Sequence, residues 1–276
     1  MPTIRFRFPA GRYHATPWGH HVNEGLVEWP PCPWRLLRGL LGCGFSSHGW
    51  TEIPDLARSL VEKLAQTLPA YQLPRASAAH SRHYMPIGTL DKGREKTTLV
   101  FDTWADVGNH PLDVHWDCEF LPAEEALLAS LCSRLPYLGR AESWVEAELR
   151  PDAQAQCCEW NAFPHVEGTN PGPGWEQLSL LAPVPADDYG TWRERAVADA
   201  LAAHPLPDGG RKPGKKLLDL RAKAIEPYPP ELVDCLTKDT AWWKGHRWAQ
   251  PPGSRRVVYW RRADLLEVAP ELQPAR

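Results

Sequence analysis

Eleven histidines are spread over the 276 residues. Three of them, His14, His20 and His21, fall within one short Gly/Pro-rich stretch. Imidazole titrates near pH 6.5, so such residues suit general acid–base chemistry at neutral pH. Metal-free RNA cleavage needs a base for the 2′-hydroxyl and an acid for the departing 5′-oxygen. His14, His20 and His21 are candidate residues for that pair of roles. The alternative is that they are polar contacts within a loop. No His-Glu-x-x-His or Cys-x-x-Cys occurs and no Cys/His set has zinc spacing, so neither a metal nor another cofactor is expected.

Three segments mix cations with aromatic rings: Arg12-Tyr13-His14, His80-Ser81-Arg82-His83-Tyr84-Met85-Pro86, and Trp242 to Trp248. RNA is commonly held by stacking on bases and by Arg or Lys on phosphates. Each segment alone also reads as core, where tryptophans usually reside. A fourth segment, Gly209 to Lys216, approaches a phosphate-binding loop of Walker type. Lys216 stands where Ser or Thr would hold magnesium, and Pro213 removes a backbone donor. It reads as a flexible basic loop.

The elements that must position these groups are strands mixed with helices. Ile4, Phe6 and Phe8 alternate with Arg5 and Arg7, which predicts a half-buried strand with a basic face. After a loop over 9–31, Pro33 opens a helix over 33–43 with Trp34, Leu37 and Leu41 on one face. Leu56, Leu60, Leu64 and Leu68 predict a second helix over 54–68. Residues 71–98 read as irregular, with 86–97 as a thumb-like hairpin or lid. Strands are expected over 97–104, 112–120, 143–150 and 255–261. Helices are expected over 122–135, 190–203 and 229–238. The Pro/Gly-interrupted 151–188 reads as an insertion or linker. It would separate a domain over 1–150 from a smaller subdomain over 189–276. The class is α+β.

Composition bounds the rest. The chain is 43% hydrophobic and 24% charged, enough apolar content for a core. It carries 14 tryptophans and 29 prolines, a loop-rich chain with many rigid anchors. The net charge of −3 argues against a polyanion partner, but its distribution does not. Residues 1–100 carry 12 basic and 7 acidic groups, 101–210 carry 5 and 19, and 211–276 carry 14 and 8. Such segregation suggests one polyanion-facing side and an acidic side turned to solvent or a basic partner. The seven cysteines lack disulfide or zinc spacing and read as reduced thiols. No membrane span or leader is apparent, so a cytoplasmic location is expected.

The longest ordered signatures are Tyr13-His14-Ala15-Thr16-Pro17-Trp18-Gly19-His20-His21-Val22-Asn23-Glu24-Gly25 and Glu28-Trp29-Pro30-Pro31-Cys32-Pro33-Trp34-Arg35-Leu36-Leu37-Arg38. They continue in Ala78-Ala79-His80-Ser81-Arg82-His83-Tyr84-Met85-Pro86, Thr97 to Trp104, Leu138-Gly139-Arg140-Ala141-Glu142-Ser143-Trp144 and Pro251-Pro252-Gly253-Ser254-Arg255. Together they resemble the effector subunit of type I-U, or I-G, CRISPR systems. That family fuses a Cas-five-like half to a Cas-six-like half, and the resemblance is to the first. It implies a RAMP-type fold: a ferredoxin-like or RRM-like β-α-β-β-α-β core with a thumb-like insertion near 71–98 and a loop-rich second part. It further implies a subunit of a Cascade-like antiviral complex that binds the 5′ handle of the guide RNA (crRNA). Neighbours would be the backbone subunit and the large subunit, with target DNA met indirectly and no membrane. Endoribonuclease activity is expected from a fused or separate Cas-six-like half. This chain is expected to be non-catalytic, with processing of precursor RNA and a protein-only scaffold as alternatives. On this reading Arg5, Arg7, Arg35, Arg38, Arg82, Lys92, Arg94 and Lys96 contact phosphates, and Arg12 also binds RNA. Tyr13, His14, His83 and Tyr84 stack on bases or touch their edges.

Overall fold

Alternating apolar residues make Thr3–Arg7 the first strand, β1, with Ile4 and Phe6 buried and Phe8 buried just beyond its end. In this computed structural model, which describes residues 1–150, 160–207 and 212–268, β1 is flanked on both sides. Strand β6 (Leu112–His115) and strand β7 (Glu146–Arg150) pair with it, both antiparallel. Strand β3 (Ala70–Gln72) lies antiparallel on the far side of β6. Helices α1 (Pro33–Ser47) and α2 (Asp55–Gln66) connect β1 to β3, and α3 (Pro122–Ser133) connects β6 to β7. Each helix-linked pair of strands therefore has a strand of the other pair between its members. The order along the sheet, β7-β1-β6-β3, is that of two interlocked split β-α-β units.

The sheet does not stop there. Strand β8 (Ala162–Pro164) adds to β3, then come β10 (Ser254–Arg262) and β9 (Trp175–Pro183), all antiparallel. This corrects the expected partition. Two strands of the one seven-stranded sheet come from the supposed 151–188 insertion, and a third comes from the supposed C-terminal subdomain. Residues 151–159 lie outside the described residues. Leu180, Leu181 and Tyr259 supply buried side chains that join the parts into one core.

Helix α1 begins at Pro33, which needs no N–H partner in a first turn, and buries Trp34, Leu36, Leu37, Leu40 and Leu41. It runs four residues past the expected end. In α2 a strict four-residue spacing rotates by about 40° per step. Leu60 and Leu64 are buried, whereas Leu56 has drifted to 38% exposed and Leu68 lies past the end. Ala57, Val61 and Ala65 complete the buried stripe instead. In the second half α4 (Ala186–Ala202), α5 (Lys215–Ile225), α6 (Leu232–Thr237) and α7 (Thr240–Gly245) follow one another. Of the Walker-like segment, Gly209 to Arg211 lie outside the described residues, and Lys215 and Lys216 open α5 with exposed side chains.

The largest departure is at 71–98, expected to be mostly irregular. Here β4 (Ala76–Asp91) and β5 (Arg94–Asp106) form one long antiparallel hairpin, from Ser77 opposite Asp106 to Asp91 opposite Arg94. Lys92 and Gly93 take positive φ values of 51° and 77°, the backbone of a tight two-residue hairpin turn. Pro86, which has no N–H for the ladder, marks a register slip before Leu90. Strand β2 (Arg12–Tyr13) pairs with β5 only at Ala105 and Asp106, and β11 (Leu266–Val268) runs parallel to β4 only at Ala76–Ala78. Beyond that flanked base the hairpin is a two-stranded arm. The expected 86–97 thumb is its outer part.

Candidate nucleic-acid interface

At the base of the arm the loop after β2 meets the Leu138–Ser143 segment. His14 is 4% exposed, and its Nδ1 lies 2.6 Å from Glu142 Oε1. Its Nε2 is 3.9 Å from Asp102 Oδ1, to which Arg140 donates at 3.1 Å. His83 Nε2 approaches the same carboxylate at 4.0 Å. The His14 backbone is held at both ends: its N–H donates to Ser143 Oγ at 2.7 Å, and its carbonyl accepts from Arg140 N at 2.9 Å. Burial, then the Arg140 charge, holds the His14 imidazole below its ordinary value, with Glu142 opposing. His14 is thus a buried junction residue, which corrects its expected roles as acid–base group and as base contact.

Two predictions follow from that junction. The unfolded chain binds more protons than the folded one between pH 6.5 and the lowered His14 value. The stability linked to His14 is complete above pH 6.5 and declines as pH falls below it. Urea midpoints at pH 7.5 and 5.5 should show that decline, and His14→Gln should reduce the difference. Gly139 sits at φ 90°, and a Cβ there would lie 2.5 Å from the His14 carbonyl oxygen. Gly139→Ala should therefore cost more than about 1 kcal/mol in denaturant unfolding, because both conformation and space exclude the methyl.

Tyr13 is fully buried and its hydroxyl donates to Glu28 Oε1 at 3.3 Å, so it has no face to offer a base. Glu28, also buried, accepts from Cys32 N at 2.9 Å and from Arg35 Nε at 2.7 Å. Arg35 Nη2 reaches the Thr16 carbonyl at 3.0 Å. Burial, the largest single influence, weakens the Arg35 charge, but Glu28 together with Tyr13 and Cys32 holds the guanidinium well above its ordinary value.

The expected basic face of β1 is charge-matched. Arg5 grips Asp113 with two hydrogen bonds of 2.7 and 2.6 Å, and Arg7 is exposed opposite Glu146. Arg12 lies 5.7 Å over the Trp104 ring. Arg5 and Arg35 are therefore structural ion-pair members rather than free phosphate ligands. Lys63 with Glu124 and Arg261 with Glu176 likewise pair cations of the basic ends with the acidic middle of the chain. The tertiary structure folds part of the charge segregation back on itself.

What remains accessible falls into two places. One is an open cleft of about 610 Å³. Its walls include Trp18, Trp34, Trp243 and Trp248, and its cations are Arg35, Arg38 and Lys244. Arg38 Nη1 donates to the carbonyls of Leu236 and Lys238, with its guanidinium 5.1 Å from the Trp243 ring. His20 and His21 line the mouth, and His20 Nδ1 is 2.6 Å from Glu24 Oε2. The other place is the arm, where Arg82, His83, Tyr84, Lys92, Arg94 and Lys96 are all exposed. Arg82 lies 4.9 Å over the Phe101 ring and Tyr84 is 73% exposed. Exposed Met85, Ile87, Leu90 and Leu99 are interspersed with these cations.

A 3-10 turn over Val22–Glu24 links the two places. Its Asn23 side chain accepts from Phe101 N at 3.1 Å and donates to the Leu99 carbonyl at 3.5 Å. Sequence reasoning missed Lys244 and Trp18 as site residues. For Lys244 the signal was present, since it lies inside the Trp242–Trp248 segment. Among the described residues no group of three or more His, Cys, Asp and Glu is placed to hold a metal ion. No described helix is long and apolar enough to cross a membrane.

No protein-family model matches the chain, and no curated protein does. Among solved structures, Cas6 of Thermus thermophilus is similar over 54% of this chain and 53% of its own, at 15% identity and a TM-score of 0.28. The chain spans about half the length of that structure. An overlap so loose is no basis for placing a site.

Proposed function

We propose that the protein is an RNA-binding subunit of a type I-U/I-G CRISPR effector, holding the 5′ handle of the guide RNA. The observation that carries this reading is the arm. Its outer residues 82–98 hold Arg82, Lys92, Arg94 and Lys96 against Asp91 and Glu95, with Tyr84 between them. A two-stranded ribbon that buries little of its own surface is marginal in isolation and gains by lying on a partner. Its cations and aromatic ring suit a phosphate backbone and unstacked bases. The interlocked split β-α-β order supports a ferredoxin-like, RAMP-type core beneath it. Neighbouring backbone and large subunits would meet the remaining faces, with target DNA reached through them.

The test is fluorescence anisotropy with handle RNA and an unrelated RNA of equal length, at about 0.05 and 0.15 M salt. At the higher salt, handle RNA should bind at least tenfold more tightly than the unrelated RNA. Equal affinities that both vanish there would overturn specific handle binding in favour of a protein-only scaffold.

A second reading, processing of precursor RNA, is favoured by one pair. His20 is exposed at the cleft mouth with Glu24 oriented on its Nδ1. Repeat RNA cleaved in EDTA by the wild type and spared by His20→Ala would establish this reading, and intact RNA would exclude it.

A further inference from the structure

We propose that the tryptophan-walled cleft binds a single unpaired nucleotide, base and phosphate together, as a site distinct from the phosphate-gripping arm. The inference rests on the RNA-binding reading and names what this part of the surface takes. Trp34 and Trp243 are each 2% exposed and form the floor, with Trp18 packed edge-on to Trp243 at 4.8 Å and 70°. Trp18 and Trp248 are only half-buried and leave ring surface open to the cleft. A planar base is suited to such a wall, because stacking on an indole tolerates any base. The volume lies within the range that encloses a small organic ligand.

The charges select the rest of the ligand. Arg35 is matched by Glu28, and Glu24 is bonded to His20, which carries charge only when protonated. Arg38 donates to two neutral carbonyls, and Lys244 is exposed with no carboxylate in ion-pair reach among the described residues. Three cations, Arg35, Arg38 and Lys244, line the cleft against one carboxylate, Glu24, with Glu28 beside Arg35 and Asp239 acting on Arg38, so the lining itself carries more positive than negative groups. Aromatic cages without such cations recognise ammonium groups, and Arg38 and Lys244 turn this one towards an anion. A nucleotide is a ligand of that kind, an aromatic base carrying an anionic phosphate. The 3-10 turn places Glu24 on the cleft wall and bonds Asn23 to β5, which sets the cleft beside the arm for one flipped nucleotide of an RNA lying there.

The experiment is calorimetric titration of the full chain with AMP, UMP, adenosine and inorganic phosphate, with tryptophan fluorescence as a second readout. The nucleotides should bind saturably, at least tenfold more tightly than adenosine or phosphate alone, and should quench fluorescence. Lys244→Glu should weaken nucleotide binding at least tenfold. Lys244 is exposed, so its melting midpoint should match the wild type, and Trp248→Leu gives an independent loss of stacking. Handle RNA should displace AMP. No saturable binding at millimolar nucleotide, equal binding of phosphate, or an unchanged Lys244→Glu variant would overturn the assignment. Handle RNA that binds without displacing AMP would overturn its link to RNA. Absence of nucleotide binding with handle RNA still bound removes the cleft alone. Nucleotide binding without RNA binding removes the RNA-binding reading and leaves the cleft as a nucleotide site.

Discussion

Reversing the arm cations together, as R82E/K92E/R94E/K96E, is expected to weaken RNA binding by roughly a hundredfold or more at physiological salt. All four side chains are exposed, so the change acts on the partner rather than on packing. Each lost phosphate contact on a single strand flattens the slope of log affinity against log salt by about 0.7. The variant should therefore show both weaker binding and a shallower salt dependence. Its melting midpoint should stay close to that of the wild type, since surface charges away from special contacts shift stability by only about 0.5 kcal/mol each. Among the described residues, the side-chain contact affected is the Arg82 guanidinium over Phe101. Anisotropy titrations across a salt series decide it: an unchanged affinity and slope would remove the arm from the RNA interface.

The second large effect is on stability. Glu28→Ala should cost about 3–5 kcal/mol, the penalty for stripping the counter-charge from a buried ion pair. Glu28 is buried and gathers the Tyr13 hydroxyl, the Cys32 backbone N–H and the Arg35 guanidinium. Its loss leaves the Tyr13 hydroxyl, the Cys32 N–H and Arg35 Nε without that acceptor at the start of α1, where the loop from β2 turns into the helix. For a chain of this size the melting midpoint should fall by on the order of 10 °C. A double variant, Glu28→Ala with Arg35→Met, should recover part of the loss, because the orphaned charge goes with its partner. A loss below about 1 kcal/mol in urea unfolding would show that water reaches Arg35 and replaces the carboxylate.

These two residue sets show how differently the sequence spoke about surface and interior. Both Arg35 and Arg82 stand beside aromatic rings in similar local sequence, and both were expected on phosphates. Only the fold separates them. Arg35 is drawn onto Glu28 by a helix N-terminus, whereas Arg82 lies on a ribbon with one flanked end. Tyr13 and Tyr84 divide in the same way, one fully buried and the other 73% exposed. His14 was grouped with His20 and His21 because they are near in sequence. A carboxylate and a serine 128 and 129 residues away decided that His14 belongs to a buried junction.

The arm was hard to read for a physical reason. Period-two alternation marks a strand because one of its faces is buried. A ribbon exposed on both sides has no such requirement, so residues 82–98 look like loop. The Lys92-Gly93 turn was the legible clue, since a glycine in a tight two-residue turn joins two strands. Strands β8 and β9 were missed in part because Pro and Gly interrupt the chain around them. Their partner β10 lies roughly 70–100 residues away, beyond the reach of a local pattern.

By itself the sequence determined the alternating strand β1, the helices α1 to α4 to within a few residues, and the α+β class. These follow from periodicities that burial of one face imposes on neighbouring residues. It also placed cations and aromatics in the segments that line the cleft and the arm. The tertiary structure alone decided which cations stay free. Pairing of Arg5 with Asp113, Lys63 with Glu124, Arg35 with Glu28 and Arg261 with Glu176 depends on which elements meet. Three of those four join residues more than 60 positions apart, and a charge is available to a partner only when no carboxylate brought to it by the fold has claimed it.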